Sequence, residues 1–177
     1  EWSVANDQGN LQFTQYVVKM DVVDNIIRHA SLDHLAPDPN DFQNRDQGRH
    51  SFLGLVGAEP VGFDTDREAF LGPYRTYANP IVVEQGQCTG SLAHGDNACG
   101  TLQVDLELAP GESREFMVVM GVGKAEDEGK AVLAEYDSVD KARAALEDVK
   151  AFWHARLGRL NVKTDDPAFD SMINVWD

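Results

Sequence analysis

Residues 100–123 read GTLQVDLELAPGESREFMVVMGVG. Leu102, Val104, Leu106 and Leu108 alternate with Gln103, Asp105 and Glu107, the period of a strand with one apolar face. Ala109-Pro110-Gly111-Glu112 carries turn chemistry, and Phe116, Val118, Met120 and Val122 then resume the alternation. The stretch predicts a hairpin, or at least two antiparallel strands sharing one buried face. An antiparallel β class follows as the frame for the rest of the chain.

Upstream, Gly62 to Tyr74 (GFDTDREAFLGPY) reads as a strand over 62–71 running into the Gly72-Pro73 turn. On such a strand Asp64, Asp66 and Glu68 share one face, where three like charges repel unless water or a cation answers them. Residues 80–85 (PIVVEQ), 49–57 (RHSFLGLVG) and 11–24 (LQFTQYVVKMDVVD) give further strands, rich in β-branched and aromatic residues. The polar loop from Asp33 to Asp41 holds Pro37 and Pro39, which excludes it from a sheet interior.

Downstream of Gly123 the period changes. Residues 125–136 predict a short acidic helix. Over 138–158, Val139, Ala142, Ala145, Leu146, Val149, Phe152, Trp153 and Leu157 fall at helical steps, with Ser138 as N-cap and Gly158 as the stop. Trp153 lies on the apolar side and reads as core. Asp165-Asp166-Pro167 opens a third helix carrying Phe169, Met172, Ile173 and Trp176.

A chain of 177 residues with 42% hydrophobic residues buries a proper core. The 15 basic and 30 acidic residues leave a formal net charge of −15, which repels a nucleic acid or an anionic membrane. No apolar run is long enough to span a bilayer. The start, Glu1-Trp2-Ser3-Val4, lacks both an initiator Met and the order of a signal peptide. The end falls inside an amphipathic pattern, so the expectation is a piece of a longer protein. Cys88 and Cys99 read as free thiols of a cytoplasmic protein.

Several chemistries are excluded. The histidines His29, His34, His50, His94 and His154 have no metal-ligand spacing, and no His-Glu-x-x-His or Gly-x-Ser-x-Gly occurs. Asp64-x-Asp66-x-Glu68 fails as a calcium loop, because Ala69 and Arg75 stand where Gly and an acid are needed. Gly121-Val122-Gly123-Lys124 fails as a phosphate loop, since Val118 and Glu126 replace the required glycines. The carboxylates at 64–68 then read as a network to Arg67, Arg75 or backbone donors that fixes a loop. Tyr74 and Tyr77, just after Gly72-Pro73, are the better-exposed aromatics.

The block Asp64-Thr65-Asp66-Arg67-Glu68-Ala69-Phe70-Leu71-Gly72-Pro73-Tyr74 resembles the amino-terminal β-sandwich of the cellobiose/chitobiose phosphorylase family, the glycosyltransferase family thirty-six type. Other blocks agree in order: Asn25-Ile26-Ile27-Arg28, where the family commonly has Asn-x-Gln-Arg-Asn; Gly95-Asp96-Asn97; Leu108 to Glu112; and Met172-Ile173-Asn174-Val175-Trp176. The resemblance implies a mainly β, supersandwich-type domain over 1–123, a helical linker over 124–160, and the first turns of an α/α-barrel catalytic domain over 161–177. It implies an inverting glycoside phosphorylase, a hexosyltransferase that cleaves a β-linked di- or oligosaccharide with inorganic phosphate to an α-sugar 1-phosphate. Phosphate is itself the nucleophile, so one general acid suffices, and that acid is expected beyond Asp177.

No catalytic residue, metal or cofactor is then expected in these residues, and phosphate is a co-substrate. The portion would wall the substrate cleft and support a homodimer. Arg28 is the one candidate substrate-binding residue, its planar fork suited to two hydroxyls or a phosphate. The alternative for Arg28 is a surface salt bridge to Asp24 or Asp33. The alternative for the whole chain is a free-standing carbohydrate-binding β-sandwich without enzymatic activity.

Overall fold

A computed structural model describes residues 18–31, 49–95 and 97–176. The early part of the 11–24 strand, the 33–41 loop, Asp96 and the end of the chain lie outside them. The chain divides into two compact units, residues 1–138 and 139–177.

In the first unit β1 (Val18–Val23) and β2 (Ile26–Ser31) form a hairpin closed by Asp24 and Asn25. Both turn residues have positive φ, 49° and 64°. That is the pattern of a two-residue turn matching the sheet twist, which Asp and Asn tolerate best. β3 (Arg49–Val56) pairs with β2 and β6 (Met117–Val122) with β3, giving an antiparallel sheet of order β1-β2-β3-β6. A second, two-stranded sheet pairs β4 (Gly62–Asp66) with β5 (Ala98–Gln103).

The four-stranded sheet carries an apolar cluster on each face. Val18, Met20, Ile27 and Leu53 pack with Ala93 and Ala98, joined by Val22 and Leu102 from the two sheets. On the opposite face Ile26 and Phe52 pack against Ala125, with Val119, Val132 and Leu133 beside them. Ala125, Val132 and Leu133 come from a π-helical turn, Ala125–Gly129, running into α3 (Lys130–Glu135), and Val119 from β6. The layers are therefore helix, four-stranded sheet, two-stranded sheet.

The structure departs from the sequence expectations at several elements. The hairpin over 100–123 does not form: β5 and β6 belong to different sheets. The Ala109–Glu112 turn is present, with Glu112 N–H donating to the Ala109 carbonyl (2.9 Å), but it lies on a crossing between sheets. Gln103 ends β5 by accepting from Cys88 N–H (2.7 Å) and donating to the Gly86 carbonyl (3.1 Å), which ties the strand to the loop beside β4. The apolar set Phe116, Val118, Met120 and Val122 is exposed, while Met117 and Val119 face inward.

The strand over 62–71 stops at Asp66. Asp66 Oδ1 accepts from Glu68 N–H (2.8 Å) and Ala69 N–H (3.1 Å), an N-cap that starts α1 (Arg67–Leu71). Asp64, Asp66 and Glu68 consequently share no face. Residues 81–85 are likewise a single helical turn, α2 (Ile81–Gln85). Pro80 precedes it, and Gly86 at φ 71° closes it with N–H bonds to the Val82 and Val83 carbonyls.

The second unit holds α4 (Val139–Leu157) and α5 (Pro167–Trp176). Asp166 caps α5 through Ala168 N–H (2.9 Å), and Asn174 both donates to and accepts from the Val162 backbone. Trp153, read as core, is 50% exposed, together with Leu146, Val149, Phe152 and Leu157 along α4. No helix among the described residues is long and apolar enough to cross a membrane.

Candidate functional site

The β4–α1 junction is fixed by one buried carboxylate. Asp64 is fully buried, and so is Thr65 beside it. Asp64 Oδ1 accepts from Ser91 N–H (2.9 Å), the Ser91 hydroxyl (2.6 Å) and the Thr89 hydroxyl, and Oδ2 accepts from Thr89 N–H (3.0 Å). Burial pushes this carboxyl up, but the Ser91 and Thr89 donors outweigh it and hold the group below its ordinary range. The expected network exists, with hydroxyls and backbone donors of 89–91 in place of Arg67 and Arg75. Thr65 extends it, its hydroxyl donating to the Ser91 carbonyl (3.1 Å) and accepting from Ala93 N–H (3.0 Å).

That anchor holds an exposed loop of aromatic and cationic side chains. The Arg67 guanidinium sits 5.5 Å from the Tyr77 ring centroid and donates through Nε to the Tyr77 hydroxyl (3.0 Å). Arg75 pairs with Glu84, and its hydrogen bond and charge hold the Glu84 carboxyl down. Asn79 Oδ1 accepts from Thr76 N–H and hydroxyl, both at 3.2 Å, closing the loop. Tyr74 is fully exposed at φ 60°, a conformation rare for an aromatic residue. An exposed ring on a well-tied loop is suited to stacking on an apolar sugar face.

Arg28 lies elsewhere, in β2 opposite Asp21 of β1. Its Nε donates to Asp21 Oδ1 (2.7 Å), Nη2 pairs with Asp21 Oδ2, and Nη1 donates to Glu126 Oε1 (2.9 Å). The Asp21 bond is the main cause of a raised Arg28 pKa, over the opposing effect of burial. The salt-bridge partners are thus Asp21 and Glu126, not Asp24, which pairs with Lys130; Asp33 lies outside the described residues. Glu126, ninety-eight positions away, had no signal in the sequence that tied it to Arg28.

A cleft of about 330 Å³ opens beside β4, lined by Val22, Asn25, Val61, Phe63, Thr89 and Leu102 among others. Cys88 also lines it. Burial, then the nearby Asp64 charge, pushes the Cys88 thiol up to about 12; burial lifts Cys99 to about 11. Both are free and neither is an activated nucleophile. Among the described residues no three His, Cys, Asp or Glu side chains converge to hold a metal ion.

A family model described as glycosyl hydrolase 94, supersandwich domain, matches residues 1–139. The N,N'-diacetylchitobiose phosphorylase of Vibrio proteolyticus is 38% identical over 118 residues, 67% of this chain and 14% of that protein. The enzyme of the same name from Vibrio furnissii is 39% identical over 114 residues, 64% of this chain and 14% of its own length. The cyclic beta-(1,2)-glucan synthase NdvB of Rhizobium meliloti (strain 1021) is 35% identical over 130 residues, 73% of this chain and 4% of that protein. The chain thus spans about one seventh of the phosphorylases it matches.

Proposed function

The chain belongs to the glycosyl hydrolase 94 supersandwich family, and from that premise we propose that it is a non-catalytic part of a glycoside phosphorylase. The parent cleaves a β-linked di- or oligosaccharide with inorganic phosphate, inverts the anomeric centre, and releases an α-sugar 1-phosphate. The observation that carries this reading is the match to relatives named as phosphorylases across about two thirds of the chain, which spans about one seventh of their length. In this reading the general acid belongs to another part of the parent.

In this reading the Tyr74–Tyr77 loop walls one side of the substrate cleft. Arg28 serves the acceptor sugar with the two of its five N–H donors that Asp21 and Glu126 leave over. The parent is a cytoplasmic homodimer in this reading, and sedimentation of the full-length protein checks the dimer. The experiment for the reading itself is synthetic-direction turnover. Full-length protein, given an α-sugar 1-phosphate and an acceptor sugar, releases orthophosphate, while residues 1–177 alone release none. Turnover by these residues alone overturns the assignment. Glycan binding with no activity in the parent favours a carbohydrate-binding module instead.

A further inference from the structure

Arg28 on β2 stands opposite Asp21 on β1 and Phe52 on β3. Residues directly opposite share a face, here the face that Ala125 covers. Asp21 takes the side of the guanidinium that carries Nε and Nη2, a two-point grip that fixes the plane of the group. Glu126 Oε1 takes Nη1 from a different element (2.9 Å) and fixes its direction within that plane. These two partners leave one N–H of Nη1 and one of Nη2. All three side chains are partly exposed, at 27%, 24% and 38% for Arg28, Asp21 and Glu126, so a ligand can reach them.

Glu126 is held by the way the chain leaves β6. The Gly129 N–H reaches back five residues to the Lys124 carbonyl (2.9 Å), the bond of a π turn, a form frequent at functional sites. Ala125 is fully buried against Ile26 and Phe52, and a Cβ on Gly129 would stand 3.2 Å from the Phe52 ring. Glu128 Oε2 accepts from Lys124 N–H (2.8 Å), and Lys130 at the start of α3 pairs with Asp24 of the β1–β2 turn. The turn is thus pinned at both ends over the hairpin, with Glu126 between the pins.

Charge then chooses the ligand. One guanidinium against two carboxylates leaves the trio with a net negative charge, and the neighbouring Lys130 is matched by Asp24. An anion approaching the spare N–H groups is repelled, whereas neutral hydroxyls accept from the guanidinium and donate to the carboxylates. We propose that Glu126 is a positioning residue that aims Arg28 and, by its charge, makes the site take a neutral sugar ring and reject an anionic one. The proposal rests on the reading of Arg28 as the acceptor-sugar residue. It decides between the hydroxyls and the phosphate that the arginine fork could serve.

Calorimetric titration of the full-length parent with glucose and with glucuronate, which carries a carboxylate in place of one neutral CH2OH, tests this. Native protein binds glucose about tenfold tighter, the size of one screened unit charge at a few ångströms. Glu126→Gln keeps an oxygen for Nη1 and loses the charge: glucose affinity stays within about threefold and the preference shifts about tenfold toward glucuronate. Glu126→Ala also drops the Nη1 bond and weakens glucose about tenfold; in an Arg28→Met background it costs less than about twofold, because the aim acts through the guanidinium. An unchanged preference in Glu126→Gln, or an equal loss from Glu126→Ala with and without Arg28, overturns the proposal, as does a native parent that binds neither sugar. Titration is blind to turnover. A shifted preference without phosphorolysis sinks the functional reading alone, and phosphorolysis with an unchanged preference sinks this proposal alone.

Discussion

Asp64→Asn tests whether one buried carboxylate organises the β4–α1 region. The substitution keeps the shape and removes the charge. If the amide oxygen takes the place of Oδ1, it retains the Ser91 N–H, Ser91 hydroxyl and Thr89 hydroxyl, and the amide nitrogen then faces Thr89 N–H, donor against donor. A buried donor left without an acceptor costs about 1–3 kcal/mol, and each remaining bond loses its charge assistance, so the total is about 3 kcal/mol. With a urea slope of about 1–3 kcal/mol/M, the midpoint followed by far-UV circular dichroism falls by about 1–3 M.

Asp64→Ala strands all four donors and falls further. The pH dependence fixes the cause. A carboxyl held below its ordinary value of 3.8 stabilises the fold above that pH, and the contribution is lost as pH falls through the folded-state value. The gap between the native chain and Asp64→Asn is therefore constant near neutrality and closes below about pH 4. A midpoint shift under about 0.3 M, or a gap that persists into acid, refutes the reasoning.

Gly121→Ala and Gly54→Ala separate a rigid neighbour from a yielding one. A Cβ on Gly121 runs into the Phe52 ring within a buried cluster, and costs about 1–3 kcal/mol. A Cβ on Gly54 meets the tip of Leu133 at 2.6 Å, which rotates away for less than about 1 kcal/mol; equal urea midpoints contradict this. Arg28→Met breaks a partly exposed pair of ion bridges, losing about 1 kcal/mol, and the loss shrinks in 0.5 M NaCl. In the parent the same change raises the KM for the acceptor sugar, and an unchanged KM removes Arg28 from the site. With its thiol near pKa 12, Cys88 reacts with iodoacetamide at pH 8 about a thousandfold slower than a free thiol until the chain is unfolded. Rapid labelling of the native protein contradicts the burial assigned to it.

Alternation made the antiparallel class legible, because one-faced burial writes itself into period two. It left the choice of partner open. Leu102 and Met120 look like neighbours in one hairpin, yet Leu102 pairs with Phe63 and Met120 with Leu53, since Gln103 and the Ala109 turn send the chain to another sheet. The helical turns at 67–71 and 81–85 were masked by β-branched and aromatic residues. Their real signals were Asp66 as a cap and Gly86 as a left-handed stop. At the candidate site, Asp64 was legible as a carboxylate needing an answer. Its donors, Thr89 and Ser91, lie more than twenty positions away, and ordinary hydroxyls carry no pattern of their own. The exposed face of β6 had its residues in plain view, but their alternation was read as burial.

The central claim is that these residues belong to, and do not themselves perform, an inverting phosphorolysis. ³¹P nuclear magnetic resonance of full-length protein with orthophosphate and N,N'-diacetylchitobiose or cellobiose tests it directly, beside residues 1–177 alone. The account requires an α-sugar 1-phosphate from the parent and an unchanged orthophosphate signal from the shorter chain. Free sugars with no phosphate ester, a β-anomeric product, or any ester formed by residues 1–177 alone contradicts it.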